Sequence, residues 1–276
     1  MGSVEVKYFI KGLRDIPTIP ALLEKIIAIV QDEHSSTKDI HKLISYDQVL
    51  TEKILRVANS AFFGHSGEIK DIGQAIIFLG LNKIKSIAIG MTVMDVFPVN
   101  SSYNIKNLWI HGYEVALFAE ALSEKICMTC PRECFLSGLL HDIGRIIFYK
   151  INPKNFLEIE ASNERLKKEE ELFGCTHAEA GAWFALESKL PPEIISAVQF
   201  HHNPSHSTLY KDSVSIVSLA EVISNTYSPK KENDGIWNAE HEVLLLEYSL
   251  TDDDIFSVGE KLCAAMPEIE QFFNPT

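Results

Sequence analysis

The sequence predicts an all-α protein made of two packed helical subdomains. Apolar residues recur at three- and four-residue spacing along most of the chain, as on one face of an α-helix. No stretch alternates apolar and polar residues between hairpin turns, which disfavours a sheet. Proline and polar residues cluster at 97–102 (FPVNSS) and disfavour a continuous helix there. We therefore expect a domain boundary at this cluster, with domains at 1–100 and 101–276.

The N-terminal domain is expected to be a helical bundle. Its first predicted helix, 17–33, carries five apolar residues at helical spacing. Ser36 followed by Asp39 is a capping-box pattern that predicts the start of a second helix, ending near 46–47. Gly80 suits a left-handed position between the last two predicted helices. The later helices of this domain are predicted at 50–59, 72–79 and 82–96.

The C-terminal domain is also predicted to be helical. Pro191-Pro192-Glu193 suits a first helical turn, and Thr251 with Asp254 is another capping-box candidate. The short acidic runs 169–171 and 252–254 are interpreted as solvated helix ends. The predicted helices of this domain cover 105–126, 132–149, 153–171, 178–186, 193–202, 214–224, 239–248 and 251–266.

Composition and charge narrow the classes of partner. The 276-residue chain has a formal net charge of −13 and no basic stripe, which argues against nucleic acid. A small phosphorylated ligand remains possible, because a metal centre would invert the local field. Polar or charged residues interrupt every apolar segment that would be long enough to span a membrane. The first residues also lack the pattern of a secretion signal. We therefore expect no membrane contact and a cytoplasmic location.

The five cysteines do not indicate a disulfide framework, because their number is odd and the expected compartment is reducing. Cys127, Cys130 and Cys134 form a C-x2-C-x3-C cluster that could bind a metal ion. No fourth ligand is evident nearby, and small buried thiols are common between packed helices. Their role is left open between a metal site and core packing.

The stretch 139–145 (LLHDIGR) places an adjacent histidine and aspartate at the end of an apolar segment. Neighbouring helical side chains point about 100° apart, so His141 and Asp142 can reach one cation only if the helix ends or distorts there. Gly144 is the residue at which we expect that distortion. Asp142 has two carboxylate oxygens and could bridge two metal ions while His141 binds one of them.

A second pair of adjacent candidates is the doublet His201-His202. Pro204 disfavours helical geometry at Asn203, so the doublet is expected at a helix end, where consecutive side chains can converge. Glu221 lies in an apolar helical segment and would need a cation to offset the cost of burial. His111 and His177 taken singly are ordinary core or helix-start histidines; only the whole set indicates a metal site.

The order of these residues resembles the metal-ligand pattern of the HD superfamily, and most closely the dinuclear arrangement of its HD-GYP branch. The N-terminal motifs resemble the HDOD domain, a helical signalling module of bacteria, and the likeness covers roughly residues 10–225. These motifs are 16–20 (IPTIP), 47–55 (DQVLTEKIL), 58–64 (ANSAFFG) and 75–80 (AIIFLG). The resemblance therefore implies an HD-like helical fold for the C-terminal domain.

The chain departs from the HD-GYP pattern at three points. The residues after the histidine doublet read NPSHSTLYKDSV, without the Gly-Tyr-Pro loop that names the phosphodiesterases. Glu221 stands where HD enzymes usually have aspartate, and Arg145 stands where many relatives have lysine. Arginine holds phosphate well but does not readily exchange a proton, so its role would be charge stabilisation.

The resemblance implies two divalent transition-metal ions, for which iron, manganese, zinc and nickel are all suitable. It places His111, His141 and Glu221 around one ion, His177, His201 and His202 around the other, and Asp142 between them. The first functional hypothesis is a cytoplasmic bacterial signalling protein whose partner is another signalling protein or a small phosphorylated ligand. The alternative is a metal-dependent phosphohydrolase in which Asp142 and Arg145 are catalytic. An inert helical scaffold is the third, and the oligomeric state is open.

Overall fold

A computed structural model describes residues 2–13, 19–32, 35–63, 68–98, 103–126, 134–227 and 236–273. These residues form helices and connecting turns and contain no strand, which confirms the all-α prediction. The helices are α1 Ser3–Gly12, α2 Ile19–Gln31, α3 Thr37–Ser45, α4 Gln48–Ala58, α5 Ile72–Leu79, α6 Leu81–Val96, α7 Tyr103–Lys125, α8 Cys134–Leu140, α9 Ile143–Ile151, α10 Pro153–Glu160, α11 Arg165–Phe173, α12 His177–Glu187, α13 Pro192–Phe200, α14 Lys211–Tyr227, α15 Ala239–Glu247 and α16 Asp252–Phe272. Single 3₁₀ turns occupy Ala61–Phe63 and Pro204–His206.

Helix α6 is the centre of the N-terminal half, where α2, α4 and α5 pack against it. The predicted capping box at Ser36 is present, since the carboxylate of Asp39 accepts the backbone N–H of Ser36 at 2.8 Å. Gly80 has a φ of 84°, which joins α5 to α6 by a turn that few other residues adopt readily. The start of α3 is therefore fixed by a local hydrogen bond, and the start of α6 by the glycine before it.

The C-terminal half is built on α7 and α14, two long helices that are almost wholly buried and pack against each other. Helix α8 contacts α7, α13 and α14, and α12 contacts α9 and α13. These helices carry the predicted site residues. Their packing brings positions that lie far apart in sequence to one place in the core.

Several predicted helix bounds are wrong. The segment 132–149 is broken into α8 and α9 at His141-Asp142, and 153–171 is broken into α10 and α11 by a turn. Helix α1, which packs on α12 and α9, was not predicted. Helix α16 continues past the predicted end at residue 266 and contains Pro267. When two helices joined by a short turn bury the same face, the apolar pattern continues across the turn. Apolar periodicity alone therefore does not reveal such a turn.

The division at residue 100 stays a prediction. Residues 99–102, which include most of the predicted linker, lie outside the described residues. The buried apolar side chains on both sides of this position form one cluster, and α6 packs against α8 across it. A β-carbon added at Gly90 of α6 would lie 2.4 Å from a methyl carbon of Leu139, so these two helices approach closely.

No single helix among the described residues has both the length and the apolar composition of a membrane span, although the bent pair α5–α6 meets those two criteria when taken together.

The predicted cysteine cluster is described only in part. Cys134 is buried at the start of α8. Cys127 and Cys130 lie outside the described residues. A metal site at this cluster therefore stays a prediction.

Candidate metal centre

The structure brings the predicted metal ligands together in the core of the C-terminal half. One lies on α7, two lie at the break between α8 and α9, one is the first residue of α12, two follow α13 and one lies on α14. All but one are buried, and the exception is half-buried. In chain order these residues are His111, His141, Asp142, His177, His201, His202 and Glu221.

Three of them form what we call the histidine–aspartate cluster: His111, His141 and Asp142. Each offers one ligand atom, and these atoms lie within 4.8 Å of one another. Oδ2 of Asp142 is 3.9 Å from Nε2 of His111 and 3.7 Å from Nε2 of His141. These separations leave room for an ion that touches all three atoms.

Three others form the triple-histidine cluster: His177, His201 and His202. The Nε2 atom of His177 lies 3.2 Å from Nε2 of His201 and 3.1 Å from Nε2 of His202. Two nitrogen ligands of a tetrahedral zinc ion, each about 2.0–2.1 Å from the metal, lie roughly 3.3 Å apart. The spacing of these nitrogens therefore matches the spacing of ligands on one ion.

Asp142 lies between the two clusters. Its Oδ1 atom is 3.1 Å from Nε2 of His177 and 3.8 Å from Nε2 of His201, while Oδ2 faces the histidine–aspartate cluster. A carboxylate can bind one ion through each oxygen. The geometry thus allows Asp142 to contact one ion in each cluster.

The break between α8 and α9 aims His141 and Asp142 at the same region. Gly144, the predicted point of distortion, lies inside α9 instead, and this expectation is wrong. A β-carbon at Gly144 would lie 1.9 Å from the carbonyl oxygen of His177, closer than any normal contact. The glycine therefore permits the close approach of α9, which begins after Asp142, to α12, which begins at His177.

Two histidines are oriented by the carbonyl groups at helix ends. Nδ1 of His141 is 2.7 Å from the carbonyl oxygen of Gly138, and Nδ1 of His201 is 2.8 Å from that of Val198. A carbonyl oxygen only accepts, so both Nδ1 atoms carry the proton and both Nε2 atoms carry a lone pair. The last carbonyls of a helix have no partner within it, which makes them available for this role.

Burial keeps these two rings neutral. It lowers the pKa of His141 to about 4, with nearby His201 and His177 acting in the same direction and Asp142 opposing them. Burial, with His202 and His177, also lowers the pKa of His201 well below its ordinary value. Neutral imidazole is the form that binds a metal ion, so no proton has to leave these nitrogens at neutral pH.

Asp142 is held as a carboxylate. Burial by itself would raise its pKa, but His141, which becomes charged in acid, together with Arg145 and His177 keeps the pKa well below its ordinary value. Nη1 of Arg145 donates to Oδ2 of Asp142 at 3.1 Å, and Nη2 donates to Glu160. Arg145 is fully buried between these two carboxylates, and its contacts stabilise Asp142 in place.

Glu221 is buried on α14, as its apolar neighbours indicated. Its Oε2 atom is 4.0 Å from Nδ1 of His202. It is not one of the three residues of either cluster. Its predicted place beside His111 and His141 stays a prediction.

Glu169 is a site residue that the sequence interpretation missed. It was assigned to a solvated acidic run, yet its side chain is buried and its carboxylate contacts Nδ1 of His177 at 2.9 Å. Its spacing was the available signal, because Glu169 lies four residues before buried Phe173 and so shares the inner face of α11.

The donor set fits transition-metal ions. Nε2 of His177 and Nε2 of His201 face each other in a buried space, and with both rings neutral and protonated at Nδ1 their lone pairs repel unless a proton or a metal ion lies between them. Nε2 of His141 is also buried and has no hydrogen-bond partner among the residues that the structure describes. Imidazole nitrogens with one carboxylate suit zinc, iron, nickel and manganese.

Comparison with known proteins identifies the family. The model of the HDOD domain matches residues 16–204. An uncharacterized protein from Treponema pallidum (strain Nichols) is 29% identical over 215 residues, which make up 75% of this chain and 42% of the relative. The chain thus spans less than half the length of that relative.

Solved structures share the fold at low sequence identity. An HDOD domain protein with unknown function from Geobacter sulfurreducens has a TM-score of 0.74 at 23% identity, with 97% of this chain and 95% of that chain covered. A presumed phosphohydrolase from Shewanella amazonensis SB2B has a TM-score of 0.74 at 24% identity, with 96% and 98% covered. A presumed signal transduction protein from Marinobacter aquaeolei VT8 has a TM-score of 0.77 at 17% identity, with 94% and 59% covered.

At these identities the solved structures establish the fold alone. The family model carries more, because it matches well over half of the chain and includes the N-terminal motifs and the histidine doublet. The predicted resemblance is thereby confirmed, and the chain belongs to the HDOD domain family.

Proposed function

We propose that this chain is a regulatory protein of the bacterial cytoplasm whose core holds two divalent transition-metal ions. The histidine–aspartate cluster, with Glu221, would hold one ion, and the triple-histidine cluster would hold the other. Asp142 would contact both. The observation that carries this proposal is the position of Asp142, since one of its oxygens faces each cluster at 3.1–3.9 Å.

Metal binding at this place would act on the packing of the whole C-terminal half. The ligands come from α7, the α8–α9 break, α12, the end of α13 and α14. Ions that bind only the folded arrangement stabilise it by their binding free energy. The proposed regulatory output is therefore the packing of these helices, read by a signalling protein partner or altered by a small phosphorylated ligand.

The state of Arg145 favours regulation over catalysis. Both of its terminal nitrogens donate to carboxylates of the same chain, and the side chain is fully buried. A guanidinium that stabilises a phosphoryl group must have donors directed at that group. In this structure Arg145 positions Asp142 instead.

A metal-dependent phosphohydrolase is the second candidate. His202 favours it, because its side chain keeps 13% of its exposure and so connects the triple-histidine cluster with solvent. Bound ions would supply Lewis acidity to a phosphate ester. Asp142 would contact both ions and hold them in place. Arg145 would have to break its contact with Glu160 to reach a substrate.

One experiment tests both candidates. The wild-type chain and the variants His141→Ala and His201→Ala, one from each cluster, are purified without a metal-affinity tag and their metal content is measured by elemental analysis. Each variant should hold one ion fewer than the wild type. His206→Ala is the matched control, because His206 is an exposed histidine close to the doublet.

The same preparations are assayed on phosphodiesters and nucleotides. Metal without turnover supports the regulator, and turnover that depends on metal supports the phosphohydrolase. A wild-type protein with only trace metal after growth in iron-, zinc- and manganese-supplemented medium contradicts both candidates.

A further inference from the structure

Glu169 is a buried carboxylate on a helix that is otherwise highly charged. Helix α11 has the sequence RLKKEEELF, and within it the neighbouring Glu170 and Glu171 are exposed while Glu169 keeps 1% of its exposure. Burying a carboxylate is costly unless it is paired and hydrogen-bonded. The groups that contact the Glu169 carboxylate should therefore explain why it is buried.

Both oxygens of this carboxylate contact His177. Its Oε2 atom accepts the backbone N–H of His177 at 2.7 Å, and both oxygens lie 2.9 Å from Nδ1 of the same residue. A carboxylate accepts hydrogen bonds, so Nδ1 carries the proton. Nε2 points toward Asp142 and the other two histidines of its cluster, and it offers them a lone pair when the ring is neutral.

The place of His177 in its helix explains why it needs this partner. His141 and His201 follow the ends of α8 and α13, where free carbonyl groups accept their Nδ1–H. His177 is the first residue of α12, where the helix offers N–H groups instead of carbonyls. An acceptor must therefore come from another element, and a carboxylate at a helix N-terminus is also stabilised by the helix dipole.

We infer that Glu169 is a positioning residue that fixes the tautomer and orientation of His177 and so presents its Nε2 lone pair to the ion of the triple-histidine cluster; this inference rests on the proposed metal site. A carboxylate behind a ligating histidine also makes the imidazole a stronger donor, and loss of such a partner typically costs about 10–100-fold in metal affinity. The effect of Glu169 should fall on one cluster and spare the other.

The first test uses metal-free wild-type protein. Long-range proton–nitrogen NMR of the imidazole rings reports which nitrogen carries the proton, and a His177→Gln variant assigns the signal. At a pH at which the ring is neutral, the wild type should show His177 protonated at Nδ1. A neutral wild-type ring protonated at Nε2, or a ring that keeps both protons wherever the protein is folded, overturns the inference, whatever metal the protein binds.

The second test titrates Zn²⁺ into metal-free Glu169→Gln and into Glu171→Gln, an exposed control from the same helix. Glu169→Gln should weaken one of two binding events by roughly 10–100-fold and leave the other unchanged. Glu171→Gln should match the wild type. Unchanged binding of both ions in a folded Glu169→Gln protein overturns the inference.

The two tests separate this inference from the proposed function. If the wild type binds no Zn²⁺, the proposed metal site fails, while the NMR result still decides whether Glu169 sets the tautomer. If Glu169→Gln does not fold, the wild-type tautomer remains the deciding measurement.

Discussion

The two clusters contain the same type of nitrogen atom, yet they are built differently. The histidine–aspartate cluster is sealed in the core, with side-chain exposures of 6%, 0% and 4% for His111, His141 and Asp142. The triple-histidine cluster includes His202, which keeps 13%. Helix-end carbonyls orient His141 and His201, whereas a carboxylate from another helix orients His177. The position of a histidine in its helix therefore decides which kind of partner must orient it.

The two clusters are alike in how the chain supplies them. Each takes two adjacent residues from one helix end and its third residue from another helix. They differ in which helix contact holds that third residue, because the distance of His177 from Asp142 depends on how α12 packs on α9. A change at the α9–α12 contact should therefore affect the triple-histidine cluster more than the other.

The largest effect is expected from Asp142→Asn, which removes the charge shared by both clusters. Both ions should be lost together. The free energy of unfolding of the metal-free protein should fall by about 3 kcal/mol, because buried Arg145 loses one of its two carboxylate partners. Elemental analysis and urea denaturation measure the two outcomes.

Asp253→Asn is the control for this change, since Asp253 is an exposed carboxylate in the first turn of α16. It should leave metal content and stability near wild type. Full retention of one ion in Asp142→Asn would show that the clusters are independent and that Asp142 does not link them.

Gly144→Ala should affect the two clusters unequally. The added methyl group meets the carbonyl of His177 and must push α12 away from α9, at a cost of about 1–3 kcal/mol in the free energy of unfolding. The ion of the triple-histidine cluster should be lost or weakened, while that of the histidine–aspartate cluster remains. Zn²⁺ titration and thermal unfolding measure these effects.

Gly12→Ala provides the comparison, because a β-carbon there would meet no described atom within 4 Å. That variant should bind both ions as the wild type does. Equal loss from both clusters in Gly144→Ala would contradict the unequal dependence on packing.

The smallest expected effect is kinetic. Because His202 connects the triple-histidine cluster with solvent, a chelator should remove the ion there before the ion of the sealed cluster. A chelator that changes colour when it binds metal should therefore show two separate phases of metal release. His202→Ala should abolish the fast phase and His111→Ala the slow one. A single phase in the wild type, or the reverse assignment, would contradict the difference in access.

The fold could be predicted further from the sequence than the site could. The capping pair Ser36 and Asp39 and the turn at Gly80 act through neighbours in the chain, and the structure agrees with both, whereas apolar spacing found most helices but missed short turns between them. The helix predicted at 132–149 ran through His141-Asp142, although shared binding of one cation by these residues requires a break there, and the expected role of Gly144 was wrong. That role depends on a backbone carbonyl of α12, which no local pattern reveals.

Periodicity, capping and motif order run along the chain, so the sequence was enough to predict the all-helical class, the family and the histidines and carboxylates proposed as metal ligands. The positions of Asp142 between both clusters, of Arg145 between two carboxylates and of Glu169 behind His177 are visible only in the folded protein. The physical reason is that these contacts join different helices, so their distances are set by the packing of side chains in the core.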